Sequence, residues 1–242
     1  MVILAAFVLF ISAALLVRQR FRLRVDEAVL FGSVLAFLEV VLFMQGLGLA
    51  SRLRPLPTWL ATLSCIAINL FIAFWRCPLR PFKRTVRFPP FLWPAMIGAG
   101  LTAGLRLWLA WKIPPEGWDG LTYHLPIVVK WVQKANFSLA GWATPQGYFA
   151  WNGELASTWL ALLGGSLDYA KLVQVLSLPL FAASGAVLGR RLAGLRWSWP
   201  SAIALPALPI VLIQAGLAYV DALYAAFWLA AAAAAIGLAR SG

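Results

Sequence analysis

Charge is scarce in this sequence. Only 12% of its 242 residues are charged, against roughly 25% in a soluble domain, and 62% are hydrophobic. That shortage excludes water as the main solvent around most of the chain. Histidine occurs once and cysteine twice, as Cys65 and Cys77. Neither cysteine has metal-ligand spacing and no disulfide framework is implied, so both read as free thiols. The sequence has no Walker-type phosphate loop and no nucleophile elbow. The net charge of +12 first suggests nucleic acid. No soluble basic module exists to carry such binding, so no nucleic-acid partner is expected.

What the chain does have is long apolar runs, several near the roughly 20 residues that cross a hydrocarbon core about 30 Å thick. They lie at about 2–17, 28–50, 56–75, 91–112, 169–189, 197–217 and 219–238. A lipid-exposed backbone must satisfy its own hydrogen bonds, so every run is expected to be helical. The expected fold is therefore all-α: a polytopic membrane bundle of about seven transmembrane helices. The first run lacks a preceding basic segment and a small-residue cleavage site, and Arg18, Arg20, Arg22 and Arg24 follow it. It reads as an uncleaved first helix rather than a signal peptide. Pro55, Pro57, Pro89 and Pro90 punctuate helix starts, while Pro206 and Pro209 should kink the sixth span. Gly100 and Gly104 form a small-xxx-small pair read as helix packing.

The apolar stretch 153–166 is too short to cross and suits an interfacial or re-entrant helix. With that reading, one side collects Arg18, Arg20, Arg22, Arg24, Arg76, Arg80, Lys83, Arg84, Arg87, Arg190, Arg191, Arg196 and Arg240. The other collects Arg52, Arg54, Lys112, Lys130, Lys134 and Lys171, a split of 13 to 6. The positive-inside rule then puts the first set in the cytoplasm. Two parts follow. Residues 1–90 hold three helices with basic cytoplasmic loops. Residues 91–242 hold one helix, a large outer loop at about 113–168, and three further helices. A loop so long, rich in Trp, Tyr, Leu and Val, is expected to carry function rather than disorder.

The loop opens Pro-Pro-Glu-Gly-Trp-Asp-Gly-Leu-Thr-Tyr-His-Leu-Pro over 114–126. Leu121, Leu125, Val128 and Val132 share one face of an expected amphipathic helix lying on the membrane surface. Lys130 and Lys134 lie opposite, with Asp119 and Tyr123 projecting the same way, and Pro126 interrupts continuity. Asp119 either caps this helix, activates a hydroxyl as general base, or holds a divalent metal. Asp221, at the start of the seventh span, and Glu154, at the start of the short helix, are either helix-dipole carboxylates or site residues. Five of the eight acids (Glu116, Asp119, Glu154, Asp168 and Asp221) fall on the outer side. Asp26 and Glu27 are expected in the cytoplasm. Glu39 and Arg106 are intramembrane and either pair or, for Arg106, meet a lipid phosphate. His124 is a hydrogen-bonding structural residue, an acid–base group or a metal ligand. Trp111, Trp118, Trp131, Trp142, Trp151 and Trp159 read first as an interfacial aromatic belt.

The segment Trp-Asp-Gly-Leu-Thr-Tyr-His-Leu-Pro in a first large outer loop resembles the GT-C superfamily of membrane glycosyltransferases, which includes protein mannosyltransferases and aminoarabinose transferases. So does a later pattern: Glu-Leu-x-x-x-Trp-Leu, then Gly-Gly, then a span ending Arg-Arg-Leu-Ala-Gly, a proline-bearing helix, and an Asp opening the next span. The resemblance covers about residues 92–240. It implies transfer of a sugar from a polyprenyl-phosphate carrier, on the extracytoplasmic face of the plasma (inner) membrane, with Asp119 as the catalytic aspartate. It implies that Asp221 and Glu154, with Tyr123, His124, Arg106, Lys130 and Lys134, contact substrate. A divalent metal, Mg or Mn, would sit at Asp119 and Asp221. Three spans precede the loop-bearing helix where many members have one, and members usually carry further helices beyond this point. The chain therefore reads as an amino-terminal part of such an enzyme. A transporter or flippase of lipid-linked sugars and a non-catalytic assembly protein are the alternatives from other classes.

Overall fold

Hydrophobicity on every face, rather than on one stripe, sets the architecture. The computed structural model describes residues 1–75, 90–115, 117–138 and 151–239. Arg76, Cys77, Arg80, Lys83, Arg84, Arg87, Pro89, Glu116, Trp142 and Arg240, all considered above, lie outside the described residues. Within them the chain is helical, with no strand. Ten α-helices run in order: α1 (Val2–Phe21), α2 (Val25–Leu49), α3 (Pro55–Phe74), α4 (Trp93–Lys112), α5 (Leu125–Lys134), α6 (Asn152–Gly164), α7 (Ser177–Ala193), α8 (Ser198–Ala204), α9 (Pro209–Gln214) and α10 (Asp221–Ala239). Among the described residues, four helical stretches are long and apolar enough to cross a membrane: α1, α2, α3 and the continuous run Leu167–Ala193. Large apolar side chains such as Leu4, Phe7, Leu42, Leu60, Phe71, Leu101 and Trp108 point outward, as lipid-facing residues do.

Ion pairs tie one end of the bundle. Asp26 and Glu27 sit in the first turn of α2, where the helix dipole favours acids; Arg190 and Arg191 sit in the last turn of α7, where it favours bases. Arg190 donates to Asp26 at 2.7 Å and to Glu27 at 2.8 Å, and Arg191 to Glu27 at 2.8 Å. Arg20, near the end of α1, donates to the carbonyls of Ile72 and Trp75 at the end of α3. This arginine end therefore gathers the last turns of α1, α3 and α7 and the first of α2.

The opposite end is aromatic and acidic. Leu53 N–H bonds the Ala135 carbonyl just past α5. Lys171 donates to the carbonyls of Trp111 and Ile113, closing the last turn of α4. Helix α6 belongs wholly to this end. Its Gly153 meets Val220, just before α10, and its Leu163 carbonyl accepts from Trp59, one turn into α3. Both ends of α6 thus lie at one level. The helix does not simply rest on a surface, however, because Gly153 through Leu163 are all buried. Trp159 lies at its centre with no accessible surface, donating to Thr62 at 2.9 Å.

Three further expectations need correction. The stripe Leu121, Leu125, Val128, Val132 holds only in part: Val128 is buried with Leu125 and Val132 packed beside it, but Leu121 is 54% exposed, and the buried face also takes in His124, Ile127 and Trp131. A wide π-type turn over Gly120–His124 precedes α5, and its extra residue rotates the buried face. Pro206 and Pro209 do more than kink the sixth span; they break it into α8 and α9. Both remove a backbone donor, and the pair falls within a single turn. Gly100 and Gly104 are not packed on a helix, since a Cβ at either would meet nothing within 4 Å.

Candidate functional site

Three separated segments meet at the acidic end because glycine allows close approach. Gly117 has φ +119°, a conformation open to glycine, and a Cβ there would come within 2.6 Å of the Tyr219 hydroxyl. Gly120 lies against Ala218 and Tyr219, and Gly153 lies against Val220. The loop opening at 117–124, the start of α6 and the residues leading into α10 are therefore pressed together. Each segment carries one carboxylate: Asp119, Glu154 and Asp221.

Their focus is Tyr123. Its hydroxyl hydrogen-bonds Asp119 and lies near enough to feel the charges of Asp221 and Glu154. Burial first, and then these carboxylates, hold the phenol well above its ordinary value, pushed up to about 12. Tyr123 is a neutral donor at any physiological pH. Next to it the His124 ring stacks at 4.2 Å centroid distance, and His124 Nδ1 lies 2.5 Å from Glu154 Oε1. His124 and Glu154 are 9% and 5% exposed. The second oxygen of Glu154 is buried and has no hydrogen bond among the described residues. Asp221 is exposed and Asp119 half-buried, so the carboxylates grade from sealed to open across the site.

The remaining expected site residues lie elsewhere. Arg106 is half-buried on α4, six residues before Lys112, or about 9 Å at 1.5 Å per residue. Among the described residues no ion pair joins it to Glu39, which instead accepts from Asn69 at 3.1 Å. Lys134 is exposed at the far end of α5, ten residues or about 15 Å along the chain from His124. Lys130 is half-buried on the same helix. Tyr219, which covers Gly117 and lies 6.2 Å from the His124 ring, was not among the expected residues. Its place in Ala-Tyr-Val-Asp, two residues before Asp221, was the available signal.

An apolar cavity of about 550 Å³ runs within the bundle, and none of Asp119, Tyr123, His124, Glu154 and Asp221 lines it. It reaches Leu107, Leu160 and Tyr169 near the acidic end, and Ala14, Val29 and Ala202 towards the arginine end. Helix α4 forms its outer wall, with Gly100 and Gly104 facing the space and bulky Leu101, Leu105 and Trp108 facing out.

The chain matches no family model, no curated protein and no solved structure.

Among the described residues no group of three or more His, Cys, Asp and Glu side chains is placed to hold a metal ion. Asp119 bonds the Tyr123 hydroxyl and Asp221 acts on it through its charge alone, so these two carboxylates are the ones that would hold an ion there. Magnesium commonly uses one or two carboxylates together with substrate phosphates, so this pair fits an ion that arrives with a phosphorylated substrate.

Proposed function

We propose that this protein transfers a sugar from a polyprenyl-phosphate carrier to an acceptor hydroxyl at the extracytoplasmic membrane surface. The observation that carries the reading is that Asp119, Glu154 and Asp221 all act on Tyr123 at the end of the bundle towards which an apolar cavity reaches at Leu107, Leu160 and Tyr169. An isoprenoid chain is long and apolar and would occupy the cavity between α1, α4 and α7. The anionic head would then stand at the level of Lys112 and the carboxylates. Asp119 serves as general base toward the acceptor or as a ligand for a divalent ion, with Asp221 beside it. Such an ion would offset negative charge building on the leaving phosphate. Arg106, about 9 Å below Lys112 on α4, would meet a carrier phosphate that sits lower than the carboxylates.

In this reading α4, the broken α8–α9 unit and α10 complete seven crossings, with α6 as the one non-crossing helix. The arginine end is cytoplasmic and the acidic end faces outward, as the positive-inside rule orients the described arginines. The resemblance of Trp118-Asp119-Gly120 to the GT-C pattern supports the same assignment. A flippase would need polar side chains along the depth of the passage to carry a sugar head. The cavity is lined almost wholly by apolar residues.

The test is transfer from radiolabelled polyprenyl-phosphate sugars in membranes containing the protein. Asp119→Asn is expected to abolish transfer with membrane insertion unchanged. An active Asp119→Asn variant would remove Asp119 from the chemistry, and absence of transfer with every such donor would overturn the reading.

A further inference from the structure

The His124–Glu154 pair is a buried acid–imidazole contact at the acidic end. Glu154 is 5% exposed, its Oε1 lies 2.5 Å from His124 Nδ1, and its Oε2 has no hydrogen bond among the described residues. Burying a carboxylate costs several kcal/mol unless it is paired, and breaking such a pair leaves an uncompensated charge. A carboxylate held this way keeps a proton on Nδ1 and leaves the Nε2 lone pair free. Nε2 makes no hydrogen bond among the described residues, and the His124 side chain keeps 11% of its surface accessible. The groups around the ring are Tyr123 on its own segment, Tyr219 before α10, Glu154 on α6, and Asp119 and Asp221 beyond Tyr123. An imidazole oriented by a buried carboxylate, with its outer nitrogen open, is the arrangement that accepts a proton from a hydroxyl.

We infer that His124 takes the proton of the acceptor hydroxyl, with Glu154 as the residue that positions it. This deepens the proposed function and rests on it: Asp119 and Asp221 are then left to bind the acceptor or a cation. In the step, the acceptor oxygen forms a bond to the anomeric carbon. The bond from that carbon to the phosphate oxygen breaks, and its electron pair stays on the phosphate. The hydroxyl proton passes to Nε2, and the imidazolium returns it to the departing phosphate or to water. Donor and acceptor hydroxyl become glycoside and polyprenyl phosphate, with atoms and charge conserved.

Because His124 is the only histidine, its ring can be read directly. In protein labelled with ¹⁵N-histidine, the neutral ring is expected as the Nδ1–H tautomer with a far-downfield proton signal, and Glu154→Leu should abolish that signal. An Nε2–H tautomer in the unaltered protein overturns the inference without any activity assay. In the transfer assay, His124→Asn keeps an amide donor toward Glu154 but has no group at the Nε2 position. It is expected to lower kcat at least 100-fold with KM nearly unchanged. Added imidazoles should restore the rate of His124→Ala in order of their basicity. Full activity of His124→Asn, or rescue that ignores basicity, makes the pair a structural latch and overturns the inference. Loss of activity in Asp119→Asn under the same conditions leaves the proposed function standing in that case.

Discussion

Tyr123 depends on its neighbours more than on its own chemistry. Burial and the carboxylates of Asp119, Asp221 and Glu154 push its hydroxyl up to about 12 from 10.0. Between those pH values the folded chain keeps a proton that the unfolded chain releases. The unfolded state binds fewer protons there, so the stability contributed by neutral Tyr123 is present below pH 10 and falls as pH rises through the window. A spectrophotometric titration of the tyrosines should show one late component that returns toward the ordinary range in Asp119→Asn. Gly117 is the second decisive residue, because its φ of +119° and the nearby Tyr219 hydroxyl exclude a side chain. Gly117→Ala is expected to lower stability by about 1–3 kcal/mol and to separate Asp119 from Asp221, as thermal unfolding in detergent and the transfer assay would report. Asp119, Glu154 and Asp221 were each legible in the sequence as acids of one predicted side. Their meeting at Tyr123 was not, because it depends on Gly117, Gly120 and Gly153 lying flat against residues 218–220. A sequence displays those glycines without their partners.

The long helices α1, α2 and α3 follow directly from hydropathy, and the structure places them within a few residues of the expected runs. Helix α5 shows where periodicity alone goes astray. A regular 3.6-residue pattern puts Leu121 inside, whereas the π-type turn at Gly120–His124 leaves it 54% exposed and buries His124 instead. Pro126 in the first turn of α5 was the available sign that helical register would not run through unbroken. Helix α6 was legible as too short to cross. Its burial was not, because Trp159 and Thr158 find partners only on α3 and within α6 itself. At the arginine end, the pairing of α2 with α7 joins residues 163 and 164 positions apart in sequence. The Arg190 side chain is only 11% accessible. Arg190→Ala leaves Asp26 and Glu27 short of partners and is expected to cost about 3 kcal/mol. Arg191→Ala, at 27% accessible, should cost less, and denaturant or thermal unfolding of the two variants would rank them.

The molecule as a whole is a bundle that fails to close on one side. Helix α4 stands away from α1 and α7, and only Ala110 along its length is buried. The cavity behind it is where glycine matters in the opposite sense from the acidic end. Gly100→Ala or Gly104→Ala adds a methyl group into open space and removes a helix-weakening residue, so stability should rise by up to about 1 kcal/mol. Gly104→Leu should remain folded but occlude the space, and in the transfer assay KM for a long-chain polyprenyl donor should rise more than for a short-chain one. Equal effects on both donors would mean that the chain does not enter there. The proline break between α8 and α9 adds a further property to this wall, since Pro206 and Ala207 line the same space. Pro206 brings no N–H to the Ala202 carbonyl, and the Leu208 N–H reaches back only to Leu205 at 3.3 Å. The intact helices facing this wall are stiff rods, whereas these few residues form a soft joint halfway down it. Amide hydrogens at 207 and 208 should exchange with solvent deuterium faster than those of α7 beside them. Should the chamber widen to admit a bulkier guest, that joint is where the wall would give.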